Sequence, residues 1–197
     1  MNRRMRAIQR KAKLVIFAPL ICLVLVLICS LWLSHSHSAV LVGIPNETVA
    51  FDMTVSETIA EAGAPDEKYD EAGINRCTYV YHNKECFGQN ATITYVFDGN
   101  EKDNDARVFE AYLGIDFQSR NECERITEEL RKYFESMLKD DRAFDIKISE
   151  GPFRAWDAED LEQECVITSS QKCVVIRSYN NKVLTYIYLA QQTYPNR

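Results

Sequence analysis

The sequence predicts an α+β protein in which an N-terminal transmembrane helix is followed by one domain of helices packed on an antiparallel sheet. Three observations support this prediction. An apolar stretch without any charge runs from Leu14 to Leu33. Two segments carry the caps and the three-to-four spacing of amphipathic helices, and each is followed by alternating segments of strand composition. The order of helix, three strands, helix and further strands reads as a twofold αβββ repeat.

The apolar stretch from Leu14 to Leu33 is long enough to cross a bilayer. A helix of this length spans about 30 Å, which is the thickness of the hydrocarbon core. Six cations and no acidic residue precede it, so the N-terminus is expected in the cytoplasm. A cleaved secretory signal is the alternative, because Ser36 and Ser38 are small residues placed before Ala39. Such signals usually have a shorter apolar region of about 7 to 15 residues, which favours the anchor.

These features divide the chain into four predicted parts. Residues 1–13 form a basic cytoplasmic tail, 14–33 the transmembrane helix, 34–48 a stalk and 49–197 an extracytoplasmic domain. The predicted location is the cell membrane, with a single pass, a cytoplasmic N-terminus and the C-terminal domain outside.

The charge distribution bears on the partners of the outer part. All 29 acidic residues lie at or after Glu47, and 23 − 6 = 17 cations lie there too, so the net charge is 17 − 29 = −12. A surface of this sign repels phosphate backbones, and no basic patch is visible. We therefore expect no nucleic-acid partner, and a membrane partner only through the N-terminal helix.

The outer domain is predicted to begin with a short helix. Thr54 as N-cap and Glu57 three residues later form a capping box, Gly63 suits the left-handed position after the helix, and Pro65 prevents continuation. Three segments of strand composition come next, bounded by Asn, Gly or Asp. These predicted strands are Cys77–Tyr81, Ala91–Phe97 and Val108–Ile115.

A longer helix follows, with Ser119 and Glu122 as a second capping box. Its predicted inner face is Cys123, Ile126, Leu130, Phe134 and Met137, spaced by three and four. Beyond it the sequence predicts a short strand, Phe144–Ile148, a brief helix, Trp156–Glu164, and a hairpin. The hairpin strands are Lys172–Tyr179 and Lys182–Leu189, joined by the turn Asn180-Asn181.

The register of this hairpin predicts two unlike faces. Aliphatic residues such as Val174, Ile176 and Ile187 share one face, which we expect to pack on the helices. Tyr186 and Tyr188 share the other face. Tyrosine covers a large contact area at a small cost in entropy, so a tyrosine-rich sheet suits protein binding, although tyrosine also simply favours strands. The predicted protein-binding residues are Tyr79, Tyr81, Tyr95, Tyr186 and Tyr188.

Five cysteines lie in the outer part, where oxidation is permitted in an exported domain. Cys77 and Cys86 flank one turn-rich segment, and Cys165 and Cys173 flank another. These four residues are candidates for two disulfides that clamp hairpins, although connectivity cannot be deduced from sequence. A structural zinc site is the alternative use, but no Cys-x-x-Cys spacing is present.

The segment Met53–Asp66, which reads MTVSETIAEAGAPD, resembles the opening helix and Gly-x-Pro turn of small bacterial envelope proteins of the outer-membrane assembly lipoprotein type. The tandem order of helix and strands is similar to that of the beta-lactamase inhibitor protein. This chain departs from the lipoproteins because no cysteine has the small preceding residue that lipid modification needs. The resemblance implies a two-layer α+β domain that binds other proteins through its sheet without catalysis.

Catalytic motifs are scarce in the sequence. The histidines are His35, His37 and His82, so no nucleophile-histidine arrangement can be drawn beyond His82 with Cys86. The loop Asp98–Asp105 is the best calcium candidate, but its spacing does not fit an EF-hand. We expect no enzyme, no metal and no cofactor. The expected function is binding of a protein or cell-envelope partner, with a carboxylate-based hydrolase or a single-pass sensor as alternatives.

Overall fold

The computed structural model describes residues 40–71, 73–100, 102, 105–150, 161–179 and 181–190. They belong to a compact unit that begins at Val40. Its helices are α1 (Val55–Ala62) and α2 (Arg120–Leu138). Its strands are β1 (Glu67–Glu71), β2 (Arg76–Cys86), β3 (Gln89–Asp98), β4 (Arg107–Asp116), β5 (Asp145–Glu150), β6 (Leu161–Thr168), β7 (Lys172–Tyr179) and β8 (Lys182–Leu189).

The described strands form one antiparallel sheet with the order β1-β2-β3-β4-β8-β7-β6-β5. It consists of two four-stranded meanders, β1 to β4 and β5 to β8, each preceded in the chain by a helix. The two meanders join where β4 pairs with β8, with Tyr112 directly opposite Tyr186. Both central strands are therefore hydrogen-bonded on both sides, and β1 and β5 are the edges.

The predicted fold class is wrong. The described chain is mostly one eight-stranded antiparallel sheet with two helices, not an α+β domain of αβββ repeats behind a transmembrane helix. Strand β1 has the sequence EKYDE with every residue exposed, so it lacks the apolar alternation that predicts a strand. Strand β6 begins at Leu161, inside the segment Trp156–Glu164 that was predicted as a brief helix.

The predicted membrane localisation is also corrected. The proposed anchor, residues 14–33, lies outside the described residues. Neither α1 nor α2, the helices of the described part of the chain, is both long enough and apolar enough to cross a bilayer.

The part of the predicted stalk that the structure describes, residues 40–48, belongs to the folded unit. Val42 and Ile44 are each 1% exposed and lie in the hydrophobic core. The Val42 amide donates to the carbonyl of Val49 at 2.9 Å, and the Phe51 amide donates to the carbonyl of Val40 at 2.9 Å. The folded unit therefore begins about nine residues before the predicted boundary at residue 49.

The first helix is capped as predicted. The Thr54 side chain accepts from the Glu57 amide while the Glu57 carboxylate accepts from the Thr54 amide, which confirms the capping box. The carboxylate of Glu57 accepts from the Thr54 amide and also from the Thr54 hydroxyl, and these two bonds, the amide's first, hold the pKa of Glu57 below its ordinary value. At the N-terminus of α2 only half of the box forms: the Ser119 hydroxyl accepts from the Glu122 amide, but the Glu122 carboxylate accepts from Gln89 instead.

The second helix packs along β6, β7 and β8. Its buried apolar side chains are Cys123, Ile126, Leu130, Phe134 and Leu138. Met137, which was predicted on this face, is 38% exposed, so the last inward position belongs to its neighbour. Each of these large side chains contributes about 1.5 to 3 kcal/mol by leaving water, which fixes the face of the sheet that α2 covers.

Candidate protein-binding face

The sheet has one covered face and one open face. Both helices contribute to a single hydrophobic core, which contains side chains from only one side of the sheet, among them Val174, Ile176 and Ile187. These three are at most 1% exposed, whereas Val175 and Tyr186, which alternate with them, are half-buried. The predicted separation of the hairpin into two faces is confirmed, and no helix of the described residues lies on the open face.

Three tyrosine rings contact one another on the open face where the two meanders join. The rings of Tyr112 and Tyr186 meet edge to face with 5.2 Å between centroids, and those of Tyr186 and Tyr188 stack in parallel at 6.5 Å. We call this surface the tyrosine face, formed by Tyr112, Leu184, Tyr186, Tyr188, Val175 and Arg177. Its rings are pre-packed, so they lose little conformational freedom when they contact a partner.

An arginine completes one side of this surface. The guanidinium of Arg177 lies over the Tyr186 ring, 5.3 Å from its centroid. It also donates to the Glu164 carboxylate at 2.7 Å across the β6–β7 ladder. Both contacts fix the position of the guanidinium, and stacked arginine beside tyrosine is typical of the residues that dominate binding energy at protein interfaces.

A glutamate with little exposed surface lies at the other side of the tyrosine face. Glu110 is directly opposite Tyr188 in the β4–β8 ladder and opposite Val96 in the β3–β4 ladder. The residue is 9% exposed, and no hydrogen-bond or ion-pair partner for its side chain lies among the described residues. A carboxylate without a counter-charge can accept a hydrogen bond from a positively charged group supplied from outside.

Three of the five predicted binding tyrosines do not lie on this surface. Tyr79, Tyr81 and Tyr95 are 1%, 2% and 0% exposed and belong to the core of the covered face. Tyr79 is opposite Tyr95, and Tyr81 contacts the Tyr95 ring at 5.7 Å, edge to face. Burial raises the pKa of Tyr81 to about 12. These three residues are corrected from binding residues to core residues.

The other two predicted residues, Tyr186 and Tyr188, lie on the open face, where Tyr186 is half-buried and Tyr188 is 9% exposed. The predicted binding residues did not include Tyr112, Glu110 or Arg177, which lie beside them. The signal for Arg177 was present, because it shares the hairpin face of Tyr186 by alternation. The pairing of β4 with β8 joins residues 66 to 78 positions apart, and no turn residue marks it in the sequence.

The predicted disulfides are absent from the structure. None of the four candidates, Cys77, Cys86, Cys165 and Cys173, is bonded to another cysteine. Cys77 and Cys86 lie near opposite ends of the same strand, β2, so at about 3.3 Å per residue they are roughly 25 to 30 Å apart. Cys165 points to the core, whereas Cys173 is opposite Thr168, three positions further along, and so lies on the other face.

A carboxylate, an imidazole and a hydroxyl come together near the β1 edge. His82 Nε2 lies 3.0 Å from Glu67 Oε1, and His82 Nδ1 lies 3.3 Å from Thr92 Oγ1. A carboxylate, an imidazole and a hydroxyl in this order also occur in enzymes, where they activate the hydroxyl as a nucleophile. This group was not predicted from the sequence, because only Cys86 was considered as a partner of His82. Thr92 lies on β3, which pairs with strands on both sides, so the amides around it are used by the sheet. An oxyanion has no evident donor there.

Contacts of His82 and Glu67 connect the edge strand β1 to the rest of the sheet instead. The His82 amide donates to Asp66 Oδ2 at 2.6 Å, just before β1 begins. Hydrogen bonds from Tyr69, and then from His82, hold the pKa of Glu67 below its ordinary value. These contacts connect the exposed strand β1 to β2 by side chains in addition to the ladder, which favours a structural role.

The calcium alternative finds no structural support in the residues that can be described. Residues 101, 103 and 104 of the loop Asp98–Asp105 lie outside the described residues. Among the others, no three histidine, cysteine, aspartate or glutamate side chains converge as metal ligands.

Comparison of the chain with family models, with curated proteins and with solved structures finds no match. The resemblance to the outer-membrane assembly lipoprotein type therefore stays a prediction.

Proposed function

We propose that this protein is a binding protein that docks a protein partner against its tyrosine face. The observation that carries the proposal is the combination of Glu110, which has no counter-charge among the described residues, with the packed rings of Tyr186 and Tyr188 beside it. A sheet face that needed only to be soluble would place exposed polar residues there. Packed rings beside an unpaired carboxylate suit a contact surface.

The chemistry of the partner follows from these groups. A lysine or arginine that enters beside Glu110 would supply the missing counter-charge, and a charge-assisted hydrogen bond of this kind is about twice as strong as a neutral one. Apolar groups of the partner would cover Tyr186 and Leu184. The net charge of −12 after residue 33 favours encounter with a basic surface.

The test compares variants of the full chain as baits in quantitative affinity capture. Tyr186→Ala and Glu110→Gln should each reduce recovery of the same partner, because the first removes contact area and the second removes the negative charge that the partner's cation would contact. Tyr69→Ala is the matched control, since Tyr69 is 52% exposed on β1, three strands from β4. A partner recovered equally by all four proteins, wild type included, would refute the proposal.

The hydrolase alternative has one observation in its favour, a cleft beside α2 lined by four glutamates. A hydrolase based on two carboxylates needs one that carries a proton near neutral pH. Glu128 does not meet this need, because the hydrogen bond from Arg131 lowers its pKa to about 2. Glu124 and Glu162 both pair with Arg120. We therefore favour binding over hydrolysis. The sensor alternative depended on the single transmembrane helix, whose prediction has been corrected.

A further inference from the structure

Two opposite charges flank the middle strand of the tyrosine face. Strand β8 contributes Tyr188, Tyr186 and Leu184 to this face, at every second position. Glu110 on β4 is directly opposite Tyr188, and Arg177 on β7 is directly opposite Leu184. The two charged residues therefore lie on opposite sides of β8 and at opposite ends of this row, with Tyr186 midway between them.

The regular spacing of the sheet gives the relation between these positions. Because β8 separates β4 from β7, the Cα atoms of Glu110 and Arg177 are displaced by roughly 10 Å across the strands and roughly 13 Å along them. Each is thus roughly 8 Å from the Cα atom of Tyr186. A half-turn exchanges the two charged positions when its axis runs parallel to the sheet, above Tyr186, and perpendicular to the line from Glu110 to Arg177.

This exchange is the symmetry of a twofold dimer. When a second copy packs face to face about that axis, Glu110 of each copy meets Arg177 of the other, and the two Tyr186 rings meet at the centre. A self-complementary patch of this kind uses each contact twice. The Arg177 Nε group donates to Glu164 at 2.7 Å, and the two terminal nitrogens of a guanidinium carry four further N–H donors that can reach a second carboxylate.

The local charge suits a second copy better than the rest of the surface does. The net charge after residue 33 is −12, so two copies repel each other over most of their surfaces. The tyrosine face together with Glu110 has a formal charge of 1 − 1 = 0. Two acidic copies can therefore approach each other there without that repulsion.

The area of the open face also suits a dimer. Eight strands spaced about 4.8 Å apart and up to roughly 26 Å long form a face on the order of 900 Å². Each partner of a stable protein complex buries about 800 Å². One face of the sheet is therefore large enough for a stable contact.

We propose that the tyrosine face binds a second copy of this chain, as a twofold dimer in which Glu110 of one copy pairs with Arg177 of the other. The inference rests on the proposed function, since it uses the same surface and names the partner. The cation expected beside Glu110 is then Arg177 of the second copy.

Sedimentation velocity of the full chain over a range of concentrations measures the dissociation constant of the dimer. Tyr186→Ala should raise it at least about tenfold, because the central ring is lost from both copies. Glu110→Arg and Arg177→Glu should each raise it at least about a hundredfold, since each places like charges together twice. Arg125→Glu is the matched control and should leave it unchanged, because it reverses a charge on α2, which covers the other face.

An equal mixture of the two charge-reversed variants separates pairing from structural damage. Glu110→Arg leaves two cations on the face and Arg177→Glu leaves two carboxylates, so the mixture should form a heterodimer although each variant alone does not dimerise. Diffuse electrostatics gives the opposite expectation, because Glu110→Arg makes the chain less acidic. Stronger self-association of Glu110→Arg than of the wild type, or a mixture that stays monomeric, would overturn the proposal.

Cross-linking tests the same arrangement in the wild-type chain, without a variant that has to fold. Cys173 is directly opposite Tyr188, on the side of β8 away from Glu110, so it lies near the proposed axis. It is half-buried, whereas the other cysteines of the described residues are buried. A short bismaleimide should link two copies, and Cys173→Ser should not be linked. A wild-type dimer that is not linked would place the contact elsewhere and overturn the proposal.

The remaining outcomes distinguish this inference from the proposed function. A wild type that stays monomeric at every concentration overturns the dimer, and so does a dimer that none of the face variants weakens. The proposed function still stands if Tyr186→Ala lowers capture of a different protein by a monomeric chain. Circular dichroism melts of each variant establish that the comparison is between folded proteins.

Discussion

The ammonium group of Lys172 donates a hydrogen bond to the carbonyl oxygen of Leu41 at 2.7 Å. A second carbonyl, that of Val42, lies at 3.3 Å. Lys172 is 3% exposed and forms no ion pair among the described residues, and burial lowers its pKa to about 8. The first residue of β7 therefore holds the chain segment that leads into the folded unit, at the cost of burying a charge.

The first prediction concerns pH. Because the pKa of Lys172 is about 8 when folded, below the ordinary 10.5, the unfolded state binds more protons at this site between these values, and the contribution of Lys172 to stability should rise with pH in this window. The expected gain in that contribution is about 1.5 kcal/mol between pH 8 and 9.5. Urea denaturation of the wild type and of Lys172→Met at these pH values measures it as a difference.

Substitution of the lysine isolates this contribution. Relative to Lys172→Met, the wild type should gain stability as the pH rises, whereas relative to Lys147→Met, which alters a side chain 77% exposed on β5, it should not. An equal dependence on pH in both variants would contradict the assignment to Lys172. The difference between variants is needed because buried thiols act in the opposite direction above pH 9: burial raises the pKa of Cys86 to about 12 and that of Cys165 to about 11.

The second prediction tests the two faces of the sheet. Ile176→Ala should lower the free energy of unfolding by about 2 to 5 kcal/mol, because the isoleucine is 1% exposed beneath α2 and leaves a cavity. Val175→Ala, one residue away on the open face, should cost less than half as much. Chemical denaturation measures the free energy of unfolding of both variants, and equal losses of this free energy would mean that both faces are covered.

The third prediction concerns a buried hydroxyl. Thr185 on β8 is 1% exposed, opposite Leu113 and Ile176, and its hydroxyl has no hydrogen-bond partner. Thr185→Val keeps the shape and removes the buried polar group, so we expect a gain of about 1 kcal/mol in stability. The matched substitution Thr94→Val, at a half-exposed position on the open face, should give a smaller change. Loss of stability in Thr185→Val would reveal a hidden partner for the hydroxyl.

The fourth prediction concerns the thiols. Because Cys165 and Cys173 lie on opposite faces and Cys77 and Cys86 lie at opposite ends of one strand, all four should react with N-ethylmaleimide after denaturation without reductant. Peptide mapping by mass spectrometry identifies the adducts. A Cys77–Cys86 or Cys165–Cys173 disulfide in freshly purified protein would contradict the described arrangement.

Local features of the fold were predictable from the sequence. The strands Lys172–Tyr179 and Lys182–Leu189 have the predicted bounds and the predicted faces. Two residues of turn chemistry fixed their register, and alternation with period two then assigned every side chain to a face. The capping box of Thr54 and Glu57 was found for the same reason, since all its contacts lie within one helical turn.

Features that depend on distant parts of the chain were not predictable. Edge strand β1 lacks the alternation of apolar and polar side chains that would predict a strand, because neither of its faces is buried. The assignment of Tyr79, Tyr81 and Tyr95 to a binding surface failed because alternation separates two faces without saying which one the helices cover. Glu110 was missed as a site residue because its neighbour Tyr188 comes from the other meander.

Because of the position of β8, the sheet cannot be completed until this strand has been synthesised. This strand comes last among the described strands, yet it lies between β4 and β7. During synthesis one hydrogen-bonding edge of β4 therefore stays unpaired until residues 182–189 have left the ribosome. An unpaired strand edge of this kind can pair with other chains. We therefore expect misassembly to be most frequent when translation slows or stops before β8 has been synthesised.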